Sequence, residues 1–132
     1  MKIYLASFLQ KENFGSGKII GITTGSKPKN IVVNEVFLPV TPSQSLIDRY
    51  YELREKDLSE AGKFFTSEYE AQLQRFVEEV KDVALKEGKA PEEILPFHDG
   101  DTLCSWERAQ YTNYRKILAP YLEKLGYEVV AN

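Results

Sequence analysis

The amino-acid sequence predicts an α/β fold: a single-domain, Rossmann-like sandwich with a mostly parallel sheet of about five strands and helices on both faces. Short runs rich in β-branched and aromatic residues occupy the first third of the chain. Longer segments with apolar residues at helical spacing follow them. The chain closes with a strand, a helix and a strand in succession, the order typical of a parallel βαβ unit. Its 132 residues suit one α/β domain, residues 1–132.

Three strands are predicted at the start of the chain, at residues 2–9, 18–24 and 31–38. A polar, glycine-rich segment separates the first from the second, and the turn-forming sequence GSKPKN separates the second from the third. The third run mixes polar and apolar residues, so the sequence leaves open whether that strand is central or at an edge.

Two long helices are predicted in the middle of the chain. Thr41 and Gln44 have the three-residue spacing of a capping box, and apolar residues at helical spacing follow them. Ser67 and Glu70 form a second such pair before the most regular helical pattern of the chain. Residues 56–65, which lie between the two patterns, fit either a short helix or an ordered loop.

The last third of the chain predicts the closing βαβ unit. A short helical turn between Pro91 and Pro96 precedes a strand at residues 101–106. The helix that follows contains Pro120, which is expected to kink it or to weaken one turn. Residues 127–130 are predicted to form the final strand, and a strand–helix–strand unit of this kind is parallel and almost always right-handed.

Composition and charge restrict the class of partner. A net charge of −3, with 42% apolar and 28% charged residues, is typical of an ordinary globular protein and disfavours binding to nucleic acid without excluding a local basic pocket. One cysteine allows no internal disulfide, and no apolar run approaches the roughly 20 residues of a membrane helix. The start of the chain lacks the pattern of a signal peptide, so a cytoplasmic location is expected. No membrane partner, metal or other cofactor is expected.

The end of the strand at residues 101–106 and the segment after it carry the side chains best suited to a ligand. In open α/β sheets, ligands bind beyond the carboxyl ends of the parallel strands, which is where this segment lies. Trp106 and Tyr111 can stack on a planar ring, and Arg108 and Arg115 can make paired hydrogen bonds to a carboxylate or phosphate. The sequence therefore predicts a binding site for a small anionic, nucleotide-like ligand.

Five further polar residues complete the predicted ligand-binding set. Thr112 and Asn113 stand where the last helix is expected to begin, and free N–H groups at a helix start favour an anion. Thr24, Ser26 and Lys27 belong to the turn at the end of the second strand. Their hydroxyl and ammonium groups suit an anion, although the same composition is equally typical of a plain surface turn, which the sequence favours.

Three classes of function remain open from the sequence. The first is a binding protein that senses or sequesters the nucleotide-like ligand. The second is an enzyme that acts on a glycosidic or phosphate bond of a nucleotide or nucleic acid, with Glu107 as its catalytic acid or base. The third is an interaction module or homo-oligomer that uses exposed aromatic residues. A cavity at Trp106 and Arg115 favours the first two classes, whereas a flat aromatic patch favours the third.

Three other motifs are interpreted as structural. Cys104 lies among strand residues with no evident base beside it, which indicates a buried small apolar side chain. His98 and Asp101 flank a glycine and indicate a polar turn before a strand rather than a metal site. The sequence GSGK at residues 15–18 lacks the Ser or Thr and the following helix that a phosphate-binding P-loop requires.

Four segments together resemble a known family. They are TPSQSL at residues 41–46, FFTSEYEAQL at 64–73, TLCSWER at 102–108 and NYRKILAPYLEKLGYEV at 113–129. On these motifs the chain resembles the YeaO-like family, domain of unknown function 488, over most of its length. The resemblance implies a small α/β fold and a site where the late strand ends.

The resemblance is incomplete at the start of the last helix. Members of the family tend to have a Cys-His-Arg triplet there, whereas this chain has Asn113, Tyr114 and Arg115, so only the arginine matches. Cys104 matches a strand-end cysteine of the family, and Glu107 matches an acidic residue that often follows it. The resemblance therefore implies a fold and the position of a site, and it implies no particular reaction.

Overall fold

The computed structural model describes residues 1–25, 28–106 and 114–131. In this part of the chain there are five strands: β1 (Lys2–Ser7), β2 (Ile19–Gly21), β3 (Glu35–Val36), β4 (Thr102–Ser105) and β5 (Glu128–Ala131). The α-helices are α1 (Gln44–Arg54), α2 (Leu58–Glu87), α3 (Pro91–Ile94) and α4 (Tyr114–Lys124). Single turns of 3-10 helix cover Lys11–Asn13 and Leu38–Val40.

The five strands form one sheet in the order β3-β2-β4-β1-β5, and every pair is parallel. Leu103 in the central strand β4 lies opposite Leu5 in β1 and Ile20 in β2, so these three apolar side chains share one face. The predicted α/β class and its parallel sheet of about five strands are confirmed. β3 is an edge strand, which resolves the position that the sequence left open.

The two faces of the sheet are covered differently. One face carries the larger core, in which Ile3, Leu5 and Leu103 pack with buried residues of the helices such as Leu73 and Leu118. The other face carries a smaller cluster of buried residues, with partly buried loop residues against it. That cluster consists of Ala6, Phe8 and Cys104, and the loop residues include Phe14, Ile31 and Val33.

Helices were predicted on both faces, but in the described part of the chain the α-helices lie on one. The connections from β1 to β2 and from β2 to β3 run toward the β3 edge, whereas those that contain α1 to α4 run toward the β5 edge. Since parallel crossovers are almost always right-handed, connections that run in opposite directions lie on opposite faces. The described residues of the connections on the second face form loops with one 3-10 turn, so loops cover that face.

Helix starts differ from the predicted ones. α1 is capped by Ser43, whose hydroxyl accepts a hydrogen bond from the Leu46 N–H, and the Thr41 hydroxyl instead donates to the Phe37 carbonyl. α2 begins at Leu58 with Asp57 as its cap, so the pair Ser67 and Glu70 lies inside this helix. Both predicted capping boxes were therefore wrong: Thr41 lies before the cap of α1, and the spacing of Ser67 and Glu70 recurs by chance within a helix.

The first four strands are shorter than the runs that predicted them. The run at residues 31–38 contributes only Glu35 and Val36 to the sheet, because the Asn34 side chain accepts a hydrogen bond from the Ile19 N–H and takes the place of a strand carbonyl. None of the helices in the described segments is both long enough and apolar enough to cross a membrane.

Candidate functional site

A cavity of about 250 Å³ lies at the carboxyl edge of the sheet, and we call it the main cavity. Its described lining residues come from the segments after β2 and β4, from the segment before α1, and from α1, α2 and α4. They are Thr23, Thr24, Gly25, Pro42, Gln44, Ile47, Tyr51, Phe65, Trp106 and Tyr114. The described lining thus consists of rings, aliphatic groups, hydroxyls and one amide.

The topology explains why a cavity forms at this place. β2 and β4 are neighbours, but the chain leaves β2 toward the β3 edge and leaves β4 toward the β5 edge. Neighbouring strands whose connections diverge leave a crevice beyond their carboxyl ends, and ligands of parallel α/β proteins bind in such crevices. Thr23 follows β2 and Trp106 follows β4, so they lie on the two sides of this crevice.

Aromatic rings make up much of the wall. Trp106 and Tyr51 are half-buried, whereas Phe65 and Tyr114 are buried. The Tyr114 hydroxyl donates to the Ile22 carbonyl over 2.9 Å, and this hydrogen bond joins the start of α4 to the end of β2. The indole of Trp106 packs edge-on against Phe8 with ring centroids 5.2 Å apart. Such a wall suits the flat faces of a ring system.

Polar groups lie at the mouth of the main cavity. The Gln44 side chain donates to Asp48 over 2.9 Å and accepts from the Thr24 hydroxyl at 3.2 Å. The two contacts hold the amide so that its remaining N–H and its oxygen are available as donor and acceptor. Thr24 was predicted as a ligand-binding residue, and the structure brings it to the same cavity as Trp106.

Arg115 lies at the carboxyl end of β4, where the sequence placed it, but its side chain is only 3% exposed. It donates to the Ser105 hydroxyl over 2.7 Å. Burial raises the pKa of the neighbouring Tyr114, while contacts with Ser105 and Thr23 and the charge of Arg115 act in the opposite direction. The guanidinium therefore places positive charge behind a wall of the main cavity, where a low dielectric strengthens its effect.

Cys104 is buried as predicted, in the cluster with Ala6 and Phe8 on the loop-covered face. Burial raises the pKa of its thiol to about 12, although the Arg115 charge acts in the opposite direction. A thiol with this pKa stays protonated at neutral pH and is a poor nucleophile.

The histidine and the glycine-rich sequence both lie at the opposite, amino edge of the sheet. Asp101 is 2% exposed, and its carboxylate accepts hydrogen bonds from the N–H groups of His98 and Lys18. Gly15 and Gly17 pack so closely against this turn that a β-carbon at either position would collide with Gly100 or Asp101. The glycines of GSGK are thus explained by close packing, and no cluster of metal-ligating side chains occurs among the described residues.

Most of the predicted site residues are not described by the structure. The candidate catalytic residue Glu107 lies outside the described residues, as do the predicted ligand-binding residues Ser26, Lys27, Arg108, Tyr111, Thr112 and Asn113. Of the others, Trp106 and Thr24 line the main cavity, and Arg115 lies behind its wall.

Sequence reasoning missed Gln44, Tyr51 and Phe65 as cavity residues. One signal for Gln44 was available, because α1 follows a strand of the parallel sheet and its first turn must lie near the carboxyl edge. Tyr51 and Phe65 are ordinary members of helical apolar patterns, and nothing local separates a ring that lines a cavity from one that fills the core.

The fold and the cavity define a parallel α/β protein with a potential ligand site at the carboxyl edge of its sheet. Comparison with known proteins adds no assignment, because no family model, curated protein or solved structure matches this chain. The YeaO-like resemblance therefore stays a prediction.

Proposed function

We propose that this protein binds a small, anionic, nucleotide-like ligand at the carboxyl edge of its sheet and acts by sensing or sequestering it. The observation that carries this proposal is the coincidence of the ring-lined main cavity with the crevice between β2 and β4. The crevice is a consequence of the topology, and the rings come from four different parts of the chain.

The lining supports a planar ring as the part of the ligand that enters. Trp106 and Tyr51 are partly exposed and present ring surface to the cavity. Gln44 offers a donor and an acceptor side by side, which matches the hydrogen-bonding edge of a base. The volume of about 250 Å³ is just below the roughly 300–1,000 Å³ typical of ligand pockets, so one ring and its substituents fill it.

The position of Arg115 supports an anionic group on the ligand. Its charge acts on Tyr114, a residue of the cavity wall, across a region from which water is largely excluded. Because a hydrogen bond already holds the buried guanidinium in place, its positive charge does not have to be repositioned when an anion binds.

Intrinsic fluorescence tests the proposal directly, since Trp106 is the only tryptophan of the chain. We expect saturable changes in its emission when AMP, GMP, CMP or UMP is added, and weaker binding of the corresponding nucleosides. Mass spectrometry of small molecules released from the purified protein would then identify the physiological ligand. Unchanged emission with all four nucleotides at millimolar concentration would contradict the proposal.

A pair of tyrosines supplies a matched control. Tyr51 lines the main cavity and lies beneath the Arg54 guanidinium, whereas Tyr121 lies outside the described lining and beneath the Lys124 ammonium. Tyr51→Leu is expected to weaken nucleotide binding by about 1–3 kcal/mol, the value of one base–ring stack. Tyr121→Leu should leave the affinity unchanged, and equal effects of the two substitutions would argue against stacking in this cavity.

A further inference from the structure

A second cavity of about 310 Å³, which we call the outer cavity, shares Trp106 with the main cavity. It lies beside the segment after β1 and the segment before β3. Phe8 forms part of its apolar lining, and Lys11, Glu12 and Asn30 contribute its charged and amide groups. The same indole is therefore a wall of two cavities at one edge of the sheet.

The position of this shared wall is determined by packing. Phe8 is 3% exposed and meets the Trp106 ring at an interplanar angle of 64°. Trp106 also packs against the cluster of Ala6, Phe8 and Cys104 on the loop-covered face. An indole anchored in this way stays between the cavities, so a molecule that passes along it reaches both.

Size and chemistry indicate what such a molecule would be. The main cavity is just below the roughly 300–1,000 Å³ typical of ligand pockets and the outer cavity is at the small end of that range, so together they suit a ligand with two parts. In the outer cavity the Lys11 ammonium suits a phosphate, and the Glu12 carboxylate suits a sugar hydroxyl. Trp106, which is only partly buried, presents ring surface to this cavity as well and suits a second base.

We infer that the ligand class is a dinucleotide that spans both cavities along Trp106, with one base in the main cavity and the second nucleotide in the outer cavity. This inference rests on the proposed function, since it takes the main cavity as the site of the first base. It adds Lys11 as a residue that determines specificity for the longer ligand.

Two probes separate this inference from the proposal on which it rests. AMP and the dinucleotide pApA are titrated into the full chain, with Trp106 emission as the readout. We expect pApA to bind about tenfold more tightly than AMP, the scale of one added hydrogen bond to a charged group. Lys11→Gln should remove most of that advantage and leave the affinity for AMP unchanged.

Lys29→Gln is the matched control, because Lys29 is exposed in the segment that contributes Asn30 but is not among the described lining residues of the outer cavity. It removes the same charge and should change neither affinity. Equal affinities for AMP and pApA, or equal weakening of both by Lys11→Gln, would overturn the two-cavity ligand while the proposed function stands. Failure of both probes to change the emission would overturn the proposed function and this inference with it.

Discussion

The chemistry of Cys104 is controlled by where its side chain is buried. The thiol lies in an apolar cluster under loops, and its pKa is raised from 9.0 to about 12 by that burial. A cysteine at the end of a strand next to an arginine has the local sequence of an activated thiol. The burial of this side chain outweighs the nearby charge, and the residue acts as a small apolar group.

This raised pKa makes the stability of the protein depend on pH in the alkaline range. Unfolding returns the thiol to its ordinary pKa of 9.0, so between about pH 9 and pH 12 the unfolded state releases a proton that the folded state keeps. The stabilisation is complete below pH 9 and is lost as the pH rises. At about pH 10 we expect the loss from this thiol to be roughly 1 kcal/mol.

Urea denaturation of the protein and of Cys104→Ala at pH 8 and pH 10 measures this effect. The variant is less stable at both values because it leaves a small cavity. Its stability should nevertheless fall less between pH 8 and pH 10, because it lacks the thiol. The tyrosines that titrate in the same range are present in both proteins, so their contribution cancels. Parallel losses in the two proteins would show that the thiol is not buried in solution.

Arg115 is expected to affect both stability and binding. Arg115→Met keeps an unbranched side chain but removes the donor to Ser105, so the free energy of unfolding should fall by about 1–3 kcal/mol. Under the proposed function the variant should also lose affinity for AMP but keep its affinity for adenosine, which lacks the anion. Thermal melting and fluorescence titration check the two effects, and an unchanged ratio of the AMP and adenosine affinities would leave Arg115 with a structural role only.

At the scale of the elements, the start of α2 shows how a local motif misleads. Ser67 and Glu70 have the spacing of a capping box, yet they lie within a helix that runs from Leu58 to Glu87. The helix starts earlier because Asp57 accepts a hydrogen bond from the Glu60 N–H, and because Ala61 and Phe65 are buried in the larger core. Burial of the first two turns extends the helix beyond the region that the capping motif indicated.

Two alanine substitutions test this start. Asp57→Ala removes the cap of α2 and should lower the free energy of unfolding by about 1 kcal/mol. Ser67→Ala replaces an exposed side chain in the middle of the helix and should change it by less than about 0.5 kcal/mol. Chemical denaturation of both variants measures the two losses in unfolding free energy. A larger loss for Ser67→Ala than for Asp57→Ala would indicate that the helix begins at Ser67, as the sequence predicted.

At the scale of the whole molecule, the two edges of the sheet have different roles. The amino edge is held together by Asp101, which joins the start of β4 to the segment before β2 through the Lys18 N–H. The carboxyl edge carries the two cavities and the shared Trp106. The strands place these groups at opposite edges, so stability and ligand binding can change independently.

Asp101→Asn tests this independence. An amide supplies one acceptor where the carboxylate accepts two backbone N–H bonds, so we expect a loss of about 1–3 kcal/mol in the free energy of unfolding. The nucleotide affinity of the variant, measured at a temperature well below its thermal unfolding midpoint, should equal that of the unsubstituted protein. A lowered affinity in the folded variant would show that the amino edge also shapes the binding site.

The sequence by itself determined the fold class, the parallel βαβ closure and the edge at which Trp106 and Arg115 lie. These follow from the periods of apolar residues and from the rule that a strand–helix–strand unit is parallel, and both are local properties of the chain. The same local information located Cys104 in a buried strand.

Only the tertiary structure decided the strand order, the single helical face and the meeting of Tyr51 and Phe65 with Trp106. The order depends on which strands pair across the whole chain: β1 lies between β4 and β5, although about a hundred residues of sequence separate it from both. A cavity is the space that such distant elements leave unfilled, so its lining is a property of their packing rather than of any one segment.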